Sequence, residues 1–230
     1  MGLFERFIKK SGDSREKTGS DRAFASEDTE KKDPMEELEI MKTRLVLSQI
    51  GPHFIYNVLN TIYYLCEKDT KLAQKAISDF SSYLRENMDF VKRMDPIPFS
   101  EEMDHVMKYL ELEKLRYGDE LQIEYDINIT DFMVPALSVQ AIVENAVRHG
   151  AGRLEDGGRI MISVYEGTDN YGIDIFDNGE GFDPDNIPDD GKSHTGIDNV
   201  RYLLMVMCGG TLTYIQDSNA GTHAIIRIPK

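Results

Sequence analysis

Two short segments constrain the fold of this chain most: VQAIVENAVRHG at residues 139–150 and DNGEG at residues 177–181. In the first, apolar residues recur at helical spacing, which predicts an amphipathic helix with one polar side. That side carries Glu144, Asn145, Arg148 and His149. The second predicts a strand ending at Asp177, after which Gly179 and Gly181 release the backbone into a loop. Together they favour an α+β chain in which helices pack on a sheet.

These segments and a third, TGIDNV at residues 195–200, carry groups that suit a metal ion and anions. Asn145 offers a neutral oxygen of the kind that Mg²⁺ accepts, and Asp177 offers a carboxylate for the donor edge of a base. Gly196 stands at the start of a predicted helix, where unpaired N–H groups attract anions. The three segments therefore predict one composite binding site.

Their order resembles the Asn box, the Asp-Gly-Gly box and the second glycine box of the ATPase fold shared by histidine kinases, type II topoisomerases and MutL-like proteins. The resemblance implies a GHKL (Bergerat-type) α/β sandwich that binds ATP with Mg²⁺. It makes Asn145 the metal ligand and Asp177 the acceptor for the adenine amino group. The residues that it assigns to the nucleotide are Asn145, Arg148, His149, Asp177, Gly179, Gly181, Gly196, Asn199 and Thr222. For Arg148 and His149, ordinary exposed helix positions explain the pattern equally well.

Two long amphipathic helices are predicted over residues 34–66 and 71–91, because apolar residues recur there at three- and four-residue spacings. The Lys68-Asp69 stretch between them predicts a turn. A lone helical hairpin cannot cover its apolar stripe, and a second copy would complete a four-helix bundle. The pattern therefore predicts a homodimer, with Leu59 and Ile62 in the seam between the copies.

The first of these helices contains QIGPHFIYNVLN at residues 49–60. Pro52 removes one helix hydrogen bond immediately before His53. Helical spacing places His53 and Asn57 one turn apart, on a different side from Phe54. A histidine on the wet side of a bundle is accessible, and it is nucleophilic when neutral. In isolation, the simpler interpretation is a hydrogen-bonded helix residue.

With the ATPase motifs downstream, this helix resembles the acceptor helix of histidine kinases of the LytS and YehU type, whose pattern is Gln-Ile-Asn-Pro-His-Phe-Leu-Phe-Asn. The resemblance implies that His53 is the phospho-acceptor. Gly51 and Tyr56 depart from the family pattern. It also gives Glu144 one of two roles, either holding metal-bound water or polarising the acceptor histidine.

Three regions are expected. Residues 1–33 are charged and Ser-rich, which predicts a disordered N-terminal segment. Residues 34–95 form the helical dimerisation and phospho-acceptor region, and residues 96–230 form a linker helix and the ATP-binding domain. The Asp95-Pro96-Ile97-Pro98 run ends the second helix and is expected to act as a hinge. Arg116 of the linker helix is expected either to contact phosphate or an interface, or to be solvated.

The resemblance implies a protein-histidine kinase of a two-component system, which phosphorylates itself from Mg-ATP and passes the phosphoryl group to a response-regulator receiver domain. The family's regulators are often of LytTR type, and a separate membrane sensor protein is a further expected partner. The run His194-Thr195-Gly196-Ile197 lacks the first glycine of the family's second glycine box, and Leu204 replaces an arginine. An ATP-binding pseudokinase that signals by docking therefore stays open. A serine kinase of anti-sigma type is disfavoured, because such proteins lack the Gln-x-x-Pro-His-Phe helix.

The balance of 26 basic against 41 acidic residues gives a net charge of −15. This charge excludes nucleic acid as a principal partner, because neutralising phosphates needs a basic face. No apolar run approaches the roughly 20 residues that span a bilayer, so a cytoplasmic protein is expected. The amphipathic start MGLFERFIKK leaves peripheral membrane association open, although a frayed terminus is the simpler interpretation. Cys66 and Cys208 lie far apart and are expected to be packing residues.

Overall fold

The computed structural model describes residues 52–93, 95–150, 157–181, 195–216 and 221–230. These residues belong to one compact unit, Asp33–Lys230. The expectations for residues 1–33, for the first helix before Pro52 and for the loop at residues 182–194 lie outside the described residues. Within the described ranges, no helix is both long and apolar enough to cross a membrane.

The described elements form an α+β chain, in which helices pack on a mainly antiparallel sheet. In chain order the elements are α1 (Pro52–Lys68), α2 (Thr70–Lys92), β1 (Ile97–Pro98), α3 (Phe99–Tyr117), β2 (Leu121–Ile127), β3 (Met133–Val134), α4 (Ser138–Asn145), β4 (Gly158–Glu166), β5 (Asn170–Asp177), α5 (Thr195–Cys208), β6 (Thr211–Gln216) and β7 (Thr222–Pro229). A 3-10 turn, Gly118–Glu120, follows α3, and a π-helical turn, Ala146–Gly150, follows α4.

The hairpin of α1 and α2 turns at Asp69, as the sequence predicts. The Asp69 carboxylate accepts the backbone N–H of Leu72 at 3.0 Å, which caps the first turn of α2. Helix α3 packs against both hairpin helices and against α4. Three aromatic rings join these helices, since the Phe54 ring centroid lies 5.4 Å from that of Tyr83 and 5.2 Å from that of Tyr109. The hairpin therefore shares a core with the helices that follow it.

The main sheet has the strand order β2-β4-β5-β7-β6, with β2 and β4 parallel and the remaining neighbours antiparallel. Alternate residues of its strands are fully buried under α3, α5 and the π-helical turn. Asp177 lies directly opposite Ile160 on one neighbour and Thr222 on the other. Its side chain therefore points to the buried face, beneath the helices.

Helix α4 begins at Ser138, one residue before the segment for which the sequence predicts a helix. Leu137 has a φ of 64°, a left-handed conformation that is rare for leucine, so the helix cannot extend through it. The buried carboxylate of Glu102 in α3 accepts the backbone N–H groups of Leu137 at 2.8 Å, Val139 at 3.0 Å and Gln140 at 3.1 Å. Burial raises the pKa of Glu102 to about 7, against those hydrogen bonds. A side chain of the preceding helix thus sets where α4 starts.

Strand pairing fixes the second half, Ile97-Pro98, of the expected hinge at Asp95–Pro98. Ile97 and Pro98 form an antiparallel pair of strands with Met133 and Val134, in the register Ile97 to Val134. Ile97 is also buried. Rotation of the hairpin at Ile97 would break this pairing, so the residues before it are the better location for a hinge.

Candidate nucleotide and phospho-acceptor site

His53 lies on an exposed side of α1, one residue after the described chain starts. Its Nδ1 atom and the side-chain Nδ2 of Asn57 are 2.9 Å apart, which is hydrogen-bond distance across one helical turn. Phe54 points the other way and is buried. The structure therefore confirms that His53 and Asn57 share a side and that the apolar stripe lies elsewhere.

This side of α1 opens onto a cleft of about 200 Å³, which α3 and the end of α4 complete. The polar side chains that line the cleft are His53, Asn57, Glu113, Arg116, Glu144 and Arg148. The sequence interpretation placed His53 and the nucleotide residues in separate regions, with Glu144 as a possible link to the acceptor. In the structure, Glu144 and Arg148 line the same cleft as His53.

Glu144 is held by side chains from two helices. The Tyr83 hydroxyl of α2 donates to Glu144 Oε1 at 3.2 Å, and Gln140 Nε2 donates to the same oxygen at 2.8 Å. Gln140 Nε2 also lies 2.6 Å from the Tyr83 hydroxyl oxygen, which closes a three-membered network. Burial raises the pKa of Glu144 to about 8, against these donors. A side chain of the hairpin thus orients a carboxyl group on α4.

The opposite wall of the cleft is an ion pair on α3. Arg116 Nη1 lies 3.3 Å from Glu113 Oε2, and the Arg116 guanidinium stacks 4.5 Å from the centroid of the Tyr117 ring. Burial raises the pKa of Glu113, while Arg116 opposes that rise. Arg116 is consequently a wall of the cleft rather than a purely solvated residue.

Asn145 ends α4 and begins the passage into the π-helical turn. Arg148 Nη2 donates to Asn145 Oδ1 at 3.1 Å, so the predicted metal ligand already faces a cation. The next N–H, on Ala146, is shared between the carbonyl groups of Ile142 and Val143, a bifurcated bond that is common where a helix ends. The side chain of His149 lies outside the described part of the chain.

Asp177 sits in a close-packed cradle of glycines. The side chain is 7% exposed, and its Oδ1 accepts the backbone N–H of Gly179 at 2.9 Å. Burial raises the pKa of Asp177, against the Gly179 hydrogen bond and the attraction of His223. A Cβ atom on Gly150 would lie 2.1 Å from Asp177 Oδ1, and one on Gly179 would lie 2.4 Å from Gly150 Cα. Positions 150 and 179 therefore need glycine, because any larger residue at either one would collide with the other or with Asp177.

Two further glycines shape the edge of this cradle. Gly221 has a φ of 123°, and a Cβ there would lie 2.4 Å from the carbonyl oxygen of Asp177. Gly181 has a φ of 89°, and its added Cβ would meet Gln216 Nε2 at 2.5 Å. Thr222, buried next to Gly221, pairs with Asp177 across the strands. Thr222 therefore lies directly beside Asp177, and Gly181 lies against Gln216, which pairs with Thr222 on its other side.

The second glycine box lies at the start of α5 and has a looser environment. A Cβ added to Gly196 would meet no atom within 4 Å, so packing does not demand a glycine there. Asn199 is buried, and its Nδ2 finds no hydrogen-bond partner among the described residues. A buried donor of this kind suits an acceptor supplied by a ligand.

The sequence interpretation missed four residues of the site: Gly150, Tyr83, Gln140 and Glu113. Gly150 was assigned only as the end of the helix, although its place at the end of the Asn motif was a signal. Gln140 stands four residues before Glu144, a spacing at which helix side chains meet. Tyr83 and Glu113 carried no local signal, because their positions depend on how α2 and α3 pack.

The donors present fit Mg²⁺ bound together with phosphates rather than a metal ion held by protein alone. Among the described residues, no group of three or more His, Cys, Asp or Glu side chains could hold a metal ion. The Asn145 amide oxygen receives one N–H and keeps a second lone pair. Mg²⁺ commonly takes one or two protein oxygens and completes its shell with water and substrate phosphates.

Comparisons with known proteins match two parts of this chain. The histidine kinase family model matches residues 41–121, and the model for histidine kinase-, DNA gyrase B- and HSP90-like ATPases matches residues 135–230. The putative uncharacterized protein YwpD of Bacillus subtilis (strain 168) is 36% identical over 82% of this chain and 70% of its own length. The sensor protein LytS of the same organism is 28% identical over 84% of this chain, which spans about a third (34%) of LytS. The solved structure of the Acinetobacter baumannii histidine kinase AdeS is 19% identical and superimposes with a TM-score of 0.46, covering 84% of this chain and 96% of that one.

Proposed function

This chain belongs to the histidine kinase family of two-component systems, and we propose that it transfers the γ-phosphoryl group of ATP to His53. The observation that carries this proposal is the single cleft lined by His53, Glu144 and Arg148. Transfer requires the acceptor nitrogen to approach the nucleotide in a defined geometry. Here the acceptor helix lines the same cleft as the end of the helix that bears Asn145, in the same chain, which supports transfer within one subunit.

The glycine cradle supports the assignment of the adenine pocket. Asp177 is buried, and a second oxygen remains on its carboxyl group to accept the adenine amino N–H, since the described Gly179 contact uses Oδ1. Gly181 and Thr222 border the same place, and the buried Asn199 Nδ2 offers a donor. Asn145 would hold Mg²⁺, and when bound this ion would offset the charge of the phosphates. Gly196, Arg148 and His149 stay assigned to the phosphates as part of this proposal.

The residues of the cleft account for the chemistry of the step. A ring nitrogen of His53 forms the new P–N bond while the bond from the γ-phosphorus to the bridging oxygen breaks, and ADP leaves with that electron pair. Arg116 and Arg148 offset charge on the phosphoryl oxygens. Glu144, once ionised, polarises His53 from the opposite side of the cleft. Tyr83 and Gln140 orient Glu144 for that task.

The phosphoryl group would then pass to an aspartate of a response-regulator receiver domain, for which LytTR-type regulators are the expected class. A separate membrane sensor protein would supply the input. We keep the division into a phospho-acceptor region at residues 34–95 and an ATP-binding region at residues 96–230 as part of the proposal, together with a cytoplasmic location.

The proposed homodimer uses the exposed apolar side of the hairpin. Tyr56, Leu59 and Tyr63 on α1 are 66%, 48% and 75% exposed, and Ile77 and Met88 continue this surface on α2. The structure corrects one half of the expected seam. Ile62 is only 7% exposed and packs inside its own chain, whereas Leu59 does face outward.

Replacing both Leu59 and Tyr63 with Glu should therefore give folded monomers, because charges in a buried seam cost several kcal/mol. Ile62→Glu should instead unfold the hairpin. Sedimentation equilibrium and far-UV circular dichroism separate the two results. A wild-type protein that is monomeric at tens of micromolar would contradict the dimer.

Incubation with ATP labelled at the γ-phosphate tests the kinase assignment. We expect acid-labile, alkali-stable label on the wild type and none on His53→Gln, which should still bind ATP because the adenine pocket is untouched. His223→Gln is the matched control, since His223 pairs with Asp174 on the other face of the sheet. Label that persists on His53→Gln would refute His53 as acceptor. ATP binding without any label on the wild type would identify the pseudokinase.

A further inference from the structure

We propose that Glu102 is a positioning residue for phosphoryl transfer, because its carboxylate fixes the backbone of Gln140 and the side chain of Gln140 orients Glu144. The inference rests on the proposed function, in which Glu144 polarises His53. It extends that function to a residue of α3 that lies outside the cleft around His53.

Glu102 holds the first turn of α4 from another helix. It is fully buried, and its Oε1 accepts the backbone N–H groups of Val139 at 3.0 Å and Gln140 at 3.1 Å. Its Oε2 accepts the N–H of Leu137 at 2.8 Å. The first N–H groups of a helix have no partner inside it, and a polar side chain at the position just before it usually accepts one of them. Leu137 occupies that position and has no polar side-chain atom, so the start of α4 depends on an acceptor that α3 supplies.

The backbone of Leu137 strengthens this dependence. Its φ of 64° is a left-handed conformation, which a leucine keeps only where surrounding contacts hold it. The hydrogen bond from its N–H to Glu102 is such a contact. Without a carboxylate at position 102, we expect Leu137 to relax and the first turn of α4 to fray. Gln140 is the third residue of α4, so its backbone belongs to that turn.

Gln140 carries the effect to the cleft. Its Nε2 donates to Glu144 Oε1 at 2.8 Å, one helical turn further on, and lies 2.6 Å from the Tyr83 hydroxyl oxygen. Gln140 is thus bound to α3 through its backbone and to a cleft carboxyl group through its side chain. Because hydrogen bonds weaken steeply with distance and angle, a displaced Gln140 would release Glu144.

The adenine pocket has an anchor of its own. Gly150, at the end of the turn that follows α4, packs against Asp177 and Gly179, and Asp177 is held on the sheet opposite Thr222. None of these contacts involves Glu102. Loss of the Glu102 carboxylate should therefore lower kcat while the KM for ATP stays close to that of the wild type. A general loss of folded structure would not give that separation.

Glu102→Gln is the first test. The amide has nearly the same shape, but its NH₂ group cannot accept, so at least one of the three backbone N–H groups loses its partner. We expect the rate of His53 phosphorylation at saturating ATP to fall roughly tenfold, with an unchanged KM for ATP. Glu111→Gln, at an exposed position on the same helix, is the matched control and should keep the wild-type rate. A wild-type rate in Glu102→Gln, or a KM for ATP that rises as much as the rate falls, would overturn the proposal.

A double-mutant cycle tests whether Glu102 acts through Glu144. On a Glu144→Gln background, whose rate is already low, Glu102→Gln should change the rate by less than about twofold, because residues that act as a unit are not additive. An equal fall on the wild-type and Glu144→Gln backgrounds would show that Glu102 is merely structural and would refute the route.

Gln140→Met tests the same route if Glu102→Gln does not fold. Methionine has a similar volume and keeps the backbone N–H that Glu102 accepts, but it removes the Nε2 that holds Glu144. We expect the same fall in the phosphorylation rate, with circular dichroism unchanged. A wild-type rate in Gln140→Met would refute Gln140 as the link.

An NMR measurement is independent of the kinase assignment. The side-chain NH₂ of Gln140 is buried and hydrogen-bonded, so it should exchange slowly with water in ¹⁵N-labelled protein, and its signals are those missing from Gln140→Met. We expect exchange to be at least roughly tenfold faster in Glu102→Gln and unchanged in Glu111→Gln. Equal exchange in Glu102→Gln and the wild type would overturn the proposal. Faster exchange in a protein whose wild type takes no label would refute the kinase assignment and support the positioning of Glu144 by Glu102.

Discussion

The adenine pocket around Asp177 and the acceptor cleft around His53 are built in opposite ways. Backbone packing forms the pocket: Gly150 and Gly179 touch, and paired strands place Asp177 opposite Thr222. Side chains from three helices form the cleft, and few polar contacts, such as Tyr83 to Glu144, hold its two sides together. Close backbone packing makes the pocket rigid, whereas a few side-chain hydrogen bonds can be broken and replaced by others. The pocket is suited to holding a nucleotide, and the cleft is suited to opening when the hairpin must present His53 elsewhere.

The largest effect should follow from a substitution in the adenine pocket around Asp177, where backbone packing is tight. Gly150→Ala would place a Cβ 2.1 Å from Asp177 Oδ1, so either Asp177 or the π-helical turn must move. We expect a loss of about 2–3 kcal/mol in the free energy of unfolding, as for an overpacked core, and at least a roughly hundredfold loss of ATP affinity. Gly196→Ala is the control, because its Cβ meets nothing and the fold should keep its stability. Thermal melts and titration with a fluorescent ATP analogue measure both quantities. Wild-type ATP affinity in Gly150→Ala would show that the cradle is not the nucleotide pocket.

A smaller, more specific effect is expected from Asp177→Asn. The new amide can present a donor to the adenine amino group, which is itself a donor, so ATP affinity should fall by about 10- to 100-fold. Affinity for GTP should fall much less. Asp174→Asn on the same strand is the matched control, because its carboxylate pairs with His223 on the other face of the sheet. Isothermal titration with both nucleotides decides the point, and an unchanged preference for ATP over GTP would count against Asp177 as the base reader.

The smallest effect concerns the acceptor cleft around His53 and the pH dependence of the free energy of unfolding. The pKa of Glu144 is raised to about 8 in the folded chain, above the ordinary value near 4.5, so the folded state binds this proton more tightly than the unfolded state. The contribution of the Glu144 proton to the free energy of unfolding is complete below about pH 4.5 and is lost as the pH rises through about 8. Glu144→Gln should flatten this decline, whereas Glu111→Gln, at an exposed position on α3, should not. Denaturant melts between pH 5 and pH 9 measure the fall in the free energy of unfolding. An identical fall in Glu144→Gln would assign the proton to another group.

The same proton should govern activity. If ionised Glu144 polarises His53, the phosphorylation rate rises as the pH approaches 8, and Glu144→Gln is slow at every pH. Tyr83→Phe removes a donor that favours the ionised form, so the rise should move to higher pH while ATP affinity stays unchanged. A Tyr83→Phe variant with a wild-type pH profile would mean that the network does not set the state of Glu144.

Residue type and spacing indicated a site for a metal ion and anions. The roles proposed for Asn145, Asp177 and His53 came from the resemblance of their motifs to those of histidine kinases and related ATPases. The two hairpin helices after Pro52, the strand that ends at Asp177 and the turn at Asp69 were predicted, since amphipathic periods and turn residues are local properties. These parts of the fold depend on interactions that span a few residues.

Tertiary packing decided what the local pattern could not contain. Helix α4 starts at Ser138 because Glu102, in another helix, captures the N–H groups of Leu137, Val139 and Gln140. Ile62 faces its own core while Leu59 faces outward, a choice that depends on where α3 lies. His53 and Glu144 line one cleft although they are 91 positions apart in sequence, and the packing of Phe54 with Tyr83 and Tyr109 holds their helices together. Motifs are local, so the sequence by itself determined which residue types stand together in each motif. Distances between motifs depend on how whole faces pack, so only the tertiary structure decided which motifs share a cleft.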